Sequence, residues 1–326
     1  MFKHALFGAV ALTAGALSAQ SEPFTFVALG DAPYGKPEEV FAPFETLIAT
    51  VNARKPAFTI HVGDTKSGST PCDDAMLDAQ LGFLNSFAPA AVYTPGDNEW
   101  TDCHRPKAGG FDPLERLDYI RRTYFIDPST SFGTDPITLE SQAVVMADRF
   151  ATYVENTRFA HEGVHFIQAH VVGSNNNLEA RDQKAAMEFF ARDAANVAWL
   201  SDSFDQAIAA DAAAVVLSIH ADMFEFDFGP AWAPEGFLRH SGFINFAGVL
   251  TEKAAAFDKP VLLIFGDSHK FRVFRPFPKA APKMTALEVF GSADMHAVEV
   301  TVTVTPDDPA VFGMTPILNP ALDGQG

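Results

Sequence analysis

The sequence is short of several things, and each shortage removes a class of function. It has two cysteines, Cys72 and Cys103, in 326 residues, and they form neither a C-x-x-C zinc motif nor a disulfide-dense scaffold. Basic residues are outnumbered, 23 Lys and Arg against 41 Asp and Glu, which leaves a formal charge of −18. Non-specific nucleic-acid binding needs cations that displace counterions from phosphates, and an anionic membrane surface attracts the same sign, so the charge argues against both. Trp and Tyr number only 3 and 5, while Phe reaches 31, so the aromatic content reads as packing. There is no P-loop, no G-x-S-x-G elbow and no dinucleotide fingerprint.

Long apolar runs are also missing, with one exception near the front. Lys3 and His4 precede "ALFGAVALTAGALSA" (5–19), which carries no charge and closes on Ala16, Ser18 and Ala19. A basic start, a short apolar run and a small-residue end describe a secretory signal peptide. The run is shorter than the roughly 20 residues of a comfortable membrane span. The expectation is a signal peptide over 1–20, export to a periplasmic or extracellular space, and a single domain over 21–326, since no Pro/Gly/Ser linker divides the rest. In an oxidising compartment, a lone pair of cysteines reads as a disulfide before it reads as a metal site or a nucleophile. The acidic excess reads as solubility, or as an attraction for metal cations.

What the chain has is alternation. "FTFVALG" (24–30), "FTIHVG" (58–63) and "AAVYTPG" (90–96) are β-rich. The segments between them, 38–55 and 74–86, place apolar residues at helical spacing. Strands joined by helices predict parallel pairing and an α/β sheet. Further on, the pattern predicts a helix over 113–124, a hairpin over 151–173 turning at Glu162-Gly163 and a helical region over 178–210. Strands follow at 213–220, 261–267, 271–277, 285–291 and 296–305, with a helix over 243–257 and a loop from Pro306 onward.

Gly-Asp closes four of the apolar runs: "FVALGD" ending at Asp31, "IHVGD" at Asp64, "YTPGD" at Asp97 and "LLIFGD" at Asp267. In open α/β sheets, ligands bind outside the carboxyl ends of the strands. In chain order, the polar residues at strand ends are Asp31, Asp64, Asp97, Asn98, Glu99, His220, Asp267 and His269. One Gly-Asp is an ordinary turn. Carboxylate, amide and imidazole groups gathered on one edge describe a metal site.

The blocks "GDAPYG" (30–35), "VGDTKSG" (62–68), "PGDNEW" (95–100), "LSIH" (217–220) and "FGDSH" (265–269) occur in the order of the five blocks of the calcineurin-like metallophosphoesterases. The sequence resembles a divergent member of that superfamily, related to the purple acid phosphatases, over about residues 24–277. The resemblance implies a two-sheet αββα sandwich and two divalent metal ions. Carried over by position, Asp31 and His269 bind one metal, Asp64 bridges both, and Asn98, His220 and Asp267 bind the second. Tyr34 is a candidate phenolate ligand. The chain departs from the family pattern at Pro33, Glu99 and Asp267, each standing where the family has a histidine. The resulting oxygen-rich set favours harder ions such as Mn²⁺, Mg²⁺ or Ca²⁺ over Zn²⁺, with Fe or Zn²⁺ remaining as candidates.

The activity implied is hydrolysis of phosphate mono- or diesters. With the usual leaving-group histidine replaced, Glu99 and His104 are the candidate proton donors, against a role in loop hydrogen bonding. Asn175, within "HVVGSNNN" (170–177), and Arg105 are candidate substrate-binding residues, with Lys270 and Arg272 as further cations near the blocks. The other reading is a catalytically silent metal- or ligand-binding protein with the same fold. His61 and His165, inside strands, read as core or face residues.

Overall fold

The structure is a computed structural model that describes residues 22–179, 181–225, 239–305 and 309–322. The expected signal peptide lies outside the described residues. Among the described residues, twelve strands form two sheets. One contains β1 (Phe24–Leu29), β2 (Phe58–His61), β3 (Ala90–Tyr93), β11 (Ala297–Thr303) and β12 (Val311–Ile317), in the order β12-β11-β1-β2-β3. The other contains β4 (Glu140–Ser141), β5 (Thr157–His161), β6 (Val164–Gln168), β7 (Ala214–Ser218), β8 (Val261–Phe265), β9 (Arg272–Phe274) and β10 (Met284–Glu288), in the order β4-β5-β6-β7-β8-β10-β9.

The layers follow from the strands' alternation. Within β1, Phe26 and Ala28 face the second sheet and pack with Phe58, Ile60, Phe166, Val216, Leu262 and Ile264. Val27 and Leu29 face the other way, onto Phe44, Leu47, Ile48 and Val51 of the helix Pro37–Arg54, and the helices Asp74–Asn85 and Pro113–Tyr124 complete that layer. On the far side, Leu217, Leu263 and Phe265 pack under Trp199, Leu200 and Phe204 of the helix Gln183–Ala209 and Phe246 and Leu250 of the helix Ile244–Phe257. Helices, sheet, sheet, helices is the expected αββα sandwich. Strands buried on both faces explain why they read as continuous apolar runs. Each of three helices starts at an aspartate, Asp73, Asp112 or Asp182, whose side chain accepts backbone amides of the first turn.

β1, β2 and β3 pair in parallel, as do β6, β7 and β8. Their carboxyl ends therefore point the same way within each sheet, and the helical crossovers put the residues after each strand at one rim. One expectation fails. The tail after Pro306 is not all loop, because Val311–Ile317 pairs antiparallel with β11 along seven residues. β12 is an edge strand that carries Gly313 and Pro316, residues that weaken the strand signal and that an edge tolerates.

Candidate metal centre

After β1, β2 and β8, the residue following the closing glycine turns sharply. Asp31 and Asp64 have φ of 50° and 54°, and Asp267 after β8 has φ of 79°. Aspartate is one of the few side chains that visits this left-handed region readily. The preceding glycines serve a different need. Gly63 itself has φ of 94°, and a Cβ on Gly96 would lie 2.1 Å from Asp64 Oδ1, so the β3 turn presses directly on the β2 aspartate.

The consequence is convergence. Asp31, Asp64 and His220 can each offer an atom within 4.8 Å of the others, and so can Asp97, His220 and Asp267. His220, at the end of β7, belongs to both sets. Its Nδ1 lies 3.0 Å from Val62 O. A hydrogen donated there leaves Nε2 facing Asp97 Oδ1 at 3.2 Å, Asp64 Oδ1 at 3.4 Å and Asp267 Oδ1 at 3.9 Å, where it donates to Asp97 as it stands and becomes a ligand atom once a cation displaces its proton. His269 lies further out, with Nε2 3.8 Å from Asp31 Oδ1.

Neighbouring donors fix the carboxylates. The Asn98 amide N–H donates to Asp64 Oδ1 at 2.9 Å, and its side-chain amide donates to Asp64 Oδ2 and, at 2.7 Å, to the Tyr34 hydroxyl. Tyr34 in turn donates to Asp64 Oδ2 at 2.5 Å. The Asp267 N–H donates to both oxygens of Asp31, and Ser174 Oγ donates to Asp97 Oδ2 at 2.7 Å.

Four buried or half-buried carboxylates this close cannot all be charged without cations. Burial, then repulsion from Asp267 and Asp97, pushes Asp31 well above the usual carboxylate range. Asp64 is pushed the same way by burial and then by Asp97, Glu99 and Asp31, and in both cases His220 pulls against the rise. Burial and then Asp97 raise Asp267 to about 7. Asp97 keeps its charge. Against burial, the hydrogen bonds from His220 and Ser174 lower it to about 2. Burial alone would lower the His220 imidazole, but the surrounding aspartates hold it well above its ordinary value. Burial and then Asp64 raise the Tyr34 hydroxyl. A divalent cation would relieve this frustration, and the donor set of carboxylates, imidazoles and one phenol suits it.

The sequence candidates are placed unevenly. Asp31, Asp64, His220, Asp267, His269 and Tyr34 come together at the rim. Asn98 does not sit with His220 and Asp267 as expected, because it faces Asp64 and Tyr34, and the carboxylate beside His220 is that of Asp97. The signal was present: Asp97 follows a glycine just as Asp31, Asp64 and Asp267 do. Glu99 points inward, where its Oε1 accepts from Thr65 N, Thr65 Oγ1 and Tyr93 Oη. His104 binds Thr101 O and lines the adjoining cavity. Arg272 is held between Asp222 and Glu288 at 2.5 Å each, and Lys270 is exposed.

The rim opens into a cleft of about 690 Å³ that Arg105, Asn175 and Asp102 also line. Asp102 had no sequence signal. It pairs with Arg105 at 2.5 Å, and burial and then Asp97 raise it to about 7. The Cys72–Cys103 disulfide lies behind this wall, buried, with both sulfurs close to Asn98 O. Beside it, the buried Lys66 ammonium donates to the carbonyls of Asn98, Thr70 and Ser67.

The opposite wall is an unusual turn. Ser174, Asn175, Asn176 and Asn177 follow one another with φ of 54°, 54°, 56° and 61°, a full left-handed turn after β6. Gly173 precedes it, and a Cβ there would lie 2.7 Å from Asp267 Oδ1 and 2.8 Å from Asp97 Oδ2. The fully buried Arg192 holds the turn from behind through Asn176 O, Asn176 Oδ1 and His170 O.

No family model matches the chain, and no curated protein matches it. Among solved structures, a purple acid phosphatase isolated from yellow lupin (Lupinus luteus) seeds superposes with a TM-score of 0.49 and 13% identity, over 92% of this chain and 54% of the lupin chain. The chain thus spans about half the length of that structure. Among the described residues no helix is long and apolar enough to cross a membrane.

Proposed function

We propose that the protein is an exported, metal-dependent phosphoesterase with two divalent cations at the rim. The observation that carries this reading is the orientation of His220 Nε2, 3.2, 3.4 and 3.9 Å from three carboxylates supplied by both sheets. Asp64 lies between the two positions. Asp31, His269 and Tyr34 hold the first ion, and Asp97, His220 and Asp267 hold the second. The oxygen-rich donors favour Mn²⁺, Mg²⁺ or Ca²⁺. Paired cations of this kind neutralise phosphate charge and acidify water.

The chain's own residues account for the rest. Arg105 faces the cleft and takes phosphate oxygens, while the side-chain amides of Asn98 and Asn175 line it with their hydrogens committed to Tyr34, Asp64, Leu178 and Ser241. Asp102, on the cleft wall and raised to about 7, gives the proton to the leaving oxygen. It takes the role the sequence offered to Glu99, which points inward, and to His104, which lies in the adjoining cavity bonded to Thr101 O.

The second reading, metal binding without turnover, is favoured by one observation. Glu99 stands where the family's third block has its histidine, and its Oε1 is turned inward onto Thr65 and Tyr93. Elemental analysis of the purified protein, together with hydrolysis of p-nitrophenyl phosphate and its bis ester under each ion, separates the two. Two ions per chain with turnover support the phosphoesterase, two ions without turnover support the silent binder, and no bound ion under any condition removes both.

A further inference from the structure

Beside the metal cleft lies a second cavity of about 610 Å³ to which the reading above gives no role. The two cavities share Asp102, Arg105, Ser174 and Glu179, so they meet across a single rim. Ser174 at that rim touches Asp97, and Asp102 is the proposed proton donor. A phosphate at the ions would therefore have the second cavity beside it, across the rim that carries Asp102.

Its walls indicate what that arm is. Phe111 and Leu114 line it from one side, and Ala185 lines it from the helix Gln183–Ala209. Most of its charges are already engaged. Asp112 caps Leu114 N at 2.9 Å and meets Lys184 Nζ at 3.5 Å. Asp182 caps Lys184 N at 2.9 Å, Glu179 accepts from Arg181, and Asp102 holds Arg105. Leaving Asp102 aside as the proton donor, the carboxylates Asp112, Glu179 and Asp182 outnumber the cations Arg105 and Lys184 among the lining residues. A polyanionic group such as a nucleoside polyphosphate would meet net repulsion there, whereas an uncharged group with an apolar body meets Phe111 and Leu114.

We propose that this cavity is the leaving-group subsite, and that the substrates are phosphate esters of uncharged alcohols carrying an apolar body of about aryl size. The proposal rests on the phosphoesterase reading.

The test uses the full metal-loaded chain and two non-hydrolysable ligands, ethylphosphonate and 3-phenylpropylphosphonate, titrated calorimetrically. The phenylpropyl ligand should bind about tenfold tighter. Ala185→Trp, which fills the cavity from a helix surface, should bring the ratio of affinities close to one. Should that variant fail to fold, Ala185→Leu makes a smaller cut in the same direction. Equal affinities in the wild type overturn the subsite, as does a tenfold ratio that persists in the folded variant. Turnover of p-nitrophenyl phosphate without the affinity ratio sinks the subsite alone. The ratio without turnover, with its loss in the variant, leaves an apolar binding cavity but removes the phosphoesterase reading and with it the leaving-group role.

Discussion

Ser174 Oγ donates to Asp97 Oδ2 at 2.7 Å, joining the left-handed turn after β6 to the aspartate after β3. The bond crosses from one sheet to the other. It leaves Asp97 Oδ1 free to face His220, and it helps keep the Asp97 carboxyl ionised.

Ser174→Gly removes that donor while keeping the turn's backbone geometry accessible, since glycine adopts positive φ freely. Loss of an outer hydrogen bond to a metal ligand typically weakens binding by about 10- to 100-fold. The expected outcome is that much loss in affinity at one of two sites, read by metal titration, with the circular dichroism spectrum unchanged. Unaltered affinity at both sites would separate Asp97 from the ions.

Asp64→Asn should remove the proposed bridge and lower phosphoester turnover by about 10³-fold or more, equal to ~4 kcal/mol of barrier. Asp64 is also tied to Asn98 and Tyr34, so the melting temperature must be recorded with the rate. Full activity in the folded variant would reject the two-ion site.

Asp102→Asn tests the proton donor. A lost general acid matters most when the leaving group is poor. Turnover of an alkyl phosphate should fall by about 100-fold, and that of p-nitrophenyl phosphate, whose leaving group needs little help, much less. Equal losses on both substrates would assign Asp102 a structural part through Arg105.

The pH dependence of stability includes a contribution from the buried His61, behind the β2 turn that carries Asp64. His61 is lowered to about 4 by burial, although Glu99 pulls it upward, and its Nδ1 accepts the Gly63 N–H just before Asp64. Its folded pKa is below its unfolded value of about 6.5. The unfolded chain therefore binds the proton first, and stability is lost as pH falls from about 6.5 to about 4. That contribution is about 1.4 kcal/mol per pH unit in this window. Chemical denaturation at several pH values should show a shallower slope in His61→Gln than in the wild type. Identical slopes would mean His61 does not titrate on unfolding.

Cys103→Ser opens the Cys72–Cys103 bond. Closing a loop of this length contributes about 3–4 kcal/mol in the chain-entropy model. Denaturation midpoints for the variant and the oxidised wild type measure it. A difference under about 1 kcal/mol would mean that the loop stays ordered without the bond.

Most of the sandwich was legible because its strands are apolar on both faces and end on Gly-Asp. The helix Pro113–Tyr124 and the turn at Glu162-Gly163 were readable to the residue. What escaped were features that depend on partners distant in sequence. β12 exists because β11 pairs with it, not because Gly313 and Pro316 favour a strand. Asp97 rather than Asn98 faces His220 because Gly96 is pressed against Asp64, a contact the local sequence does not report. Asp102 acquires its place in the cleft from Arg105 and from the disulfide behind it. The run of three asparagines after Ser174 was visible as a turn, but its left-handed winding comes from Arg192, sixteen residues beyond Asn176.

The proposed ligands are divided between the sheets: Asp31, Asp64 and Asp97 end strands of one, while His220 and Asp267 end strands of the other. Neither sheet alone can surround an ion. Contacts of such long sequence separation form late, because loop closure must precede them. The ions would therefore be captured only after the two sheets have docked, and their uptake would report the final step of refolding. In a stopped-flow experiment, protein refolded with a metal indicator should show burial of Trp100 and Trp199 before the indicator is stripped of its ion. Excess metal should slow unfolding while leaving the folding rate unchanged.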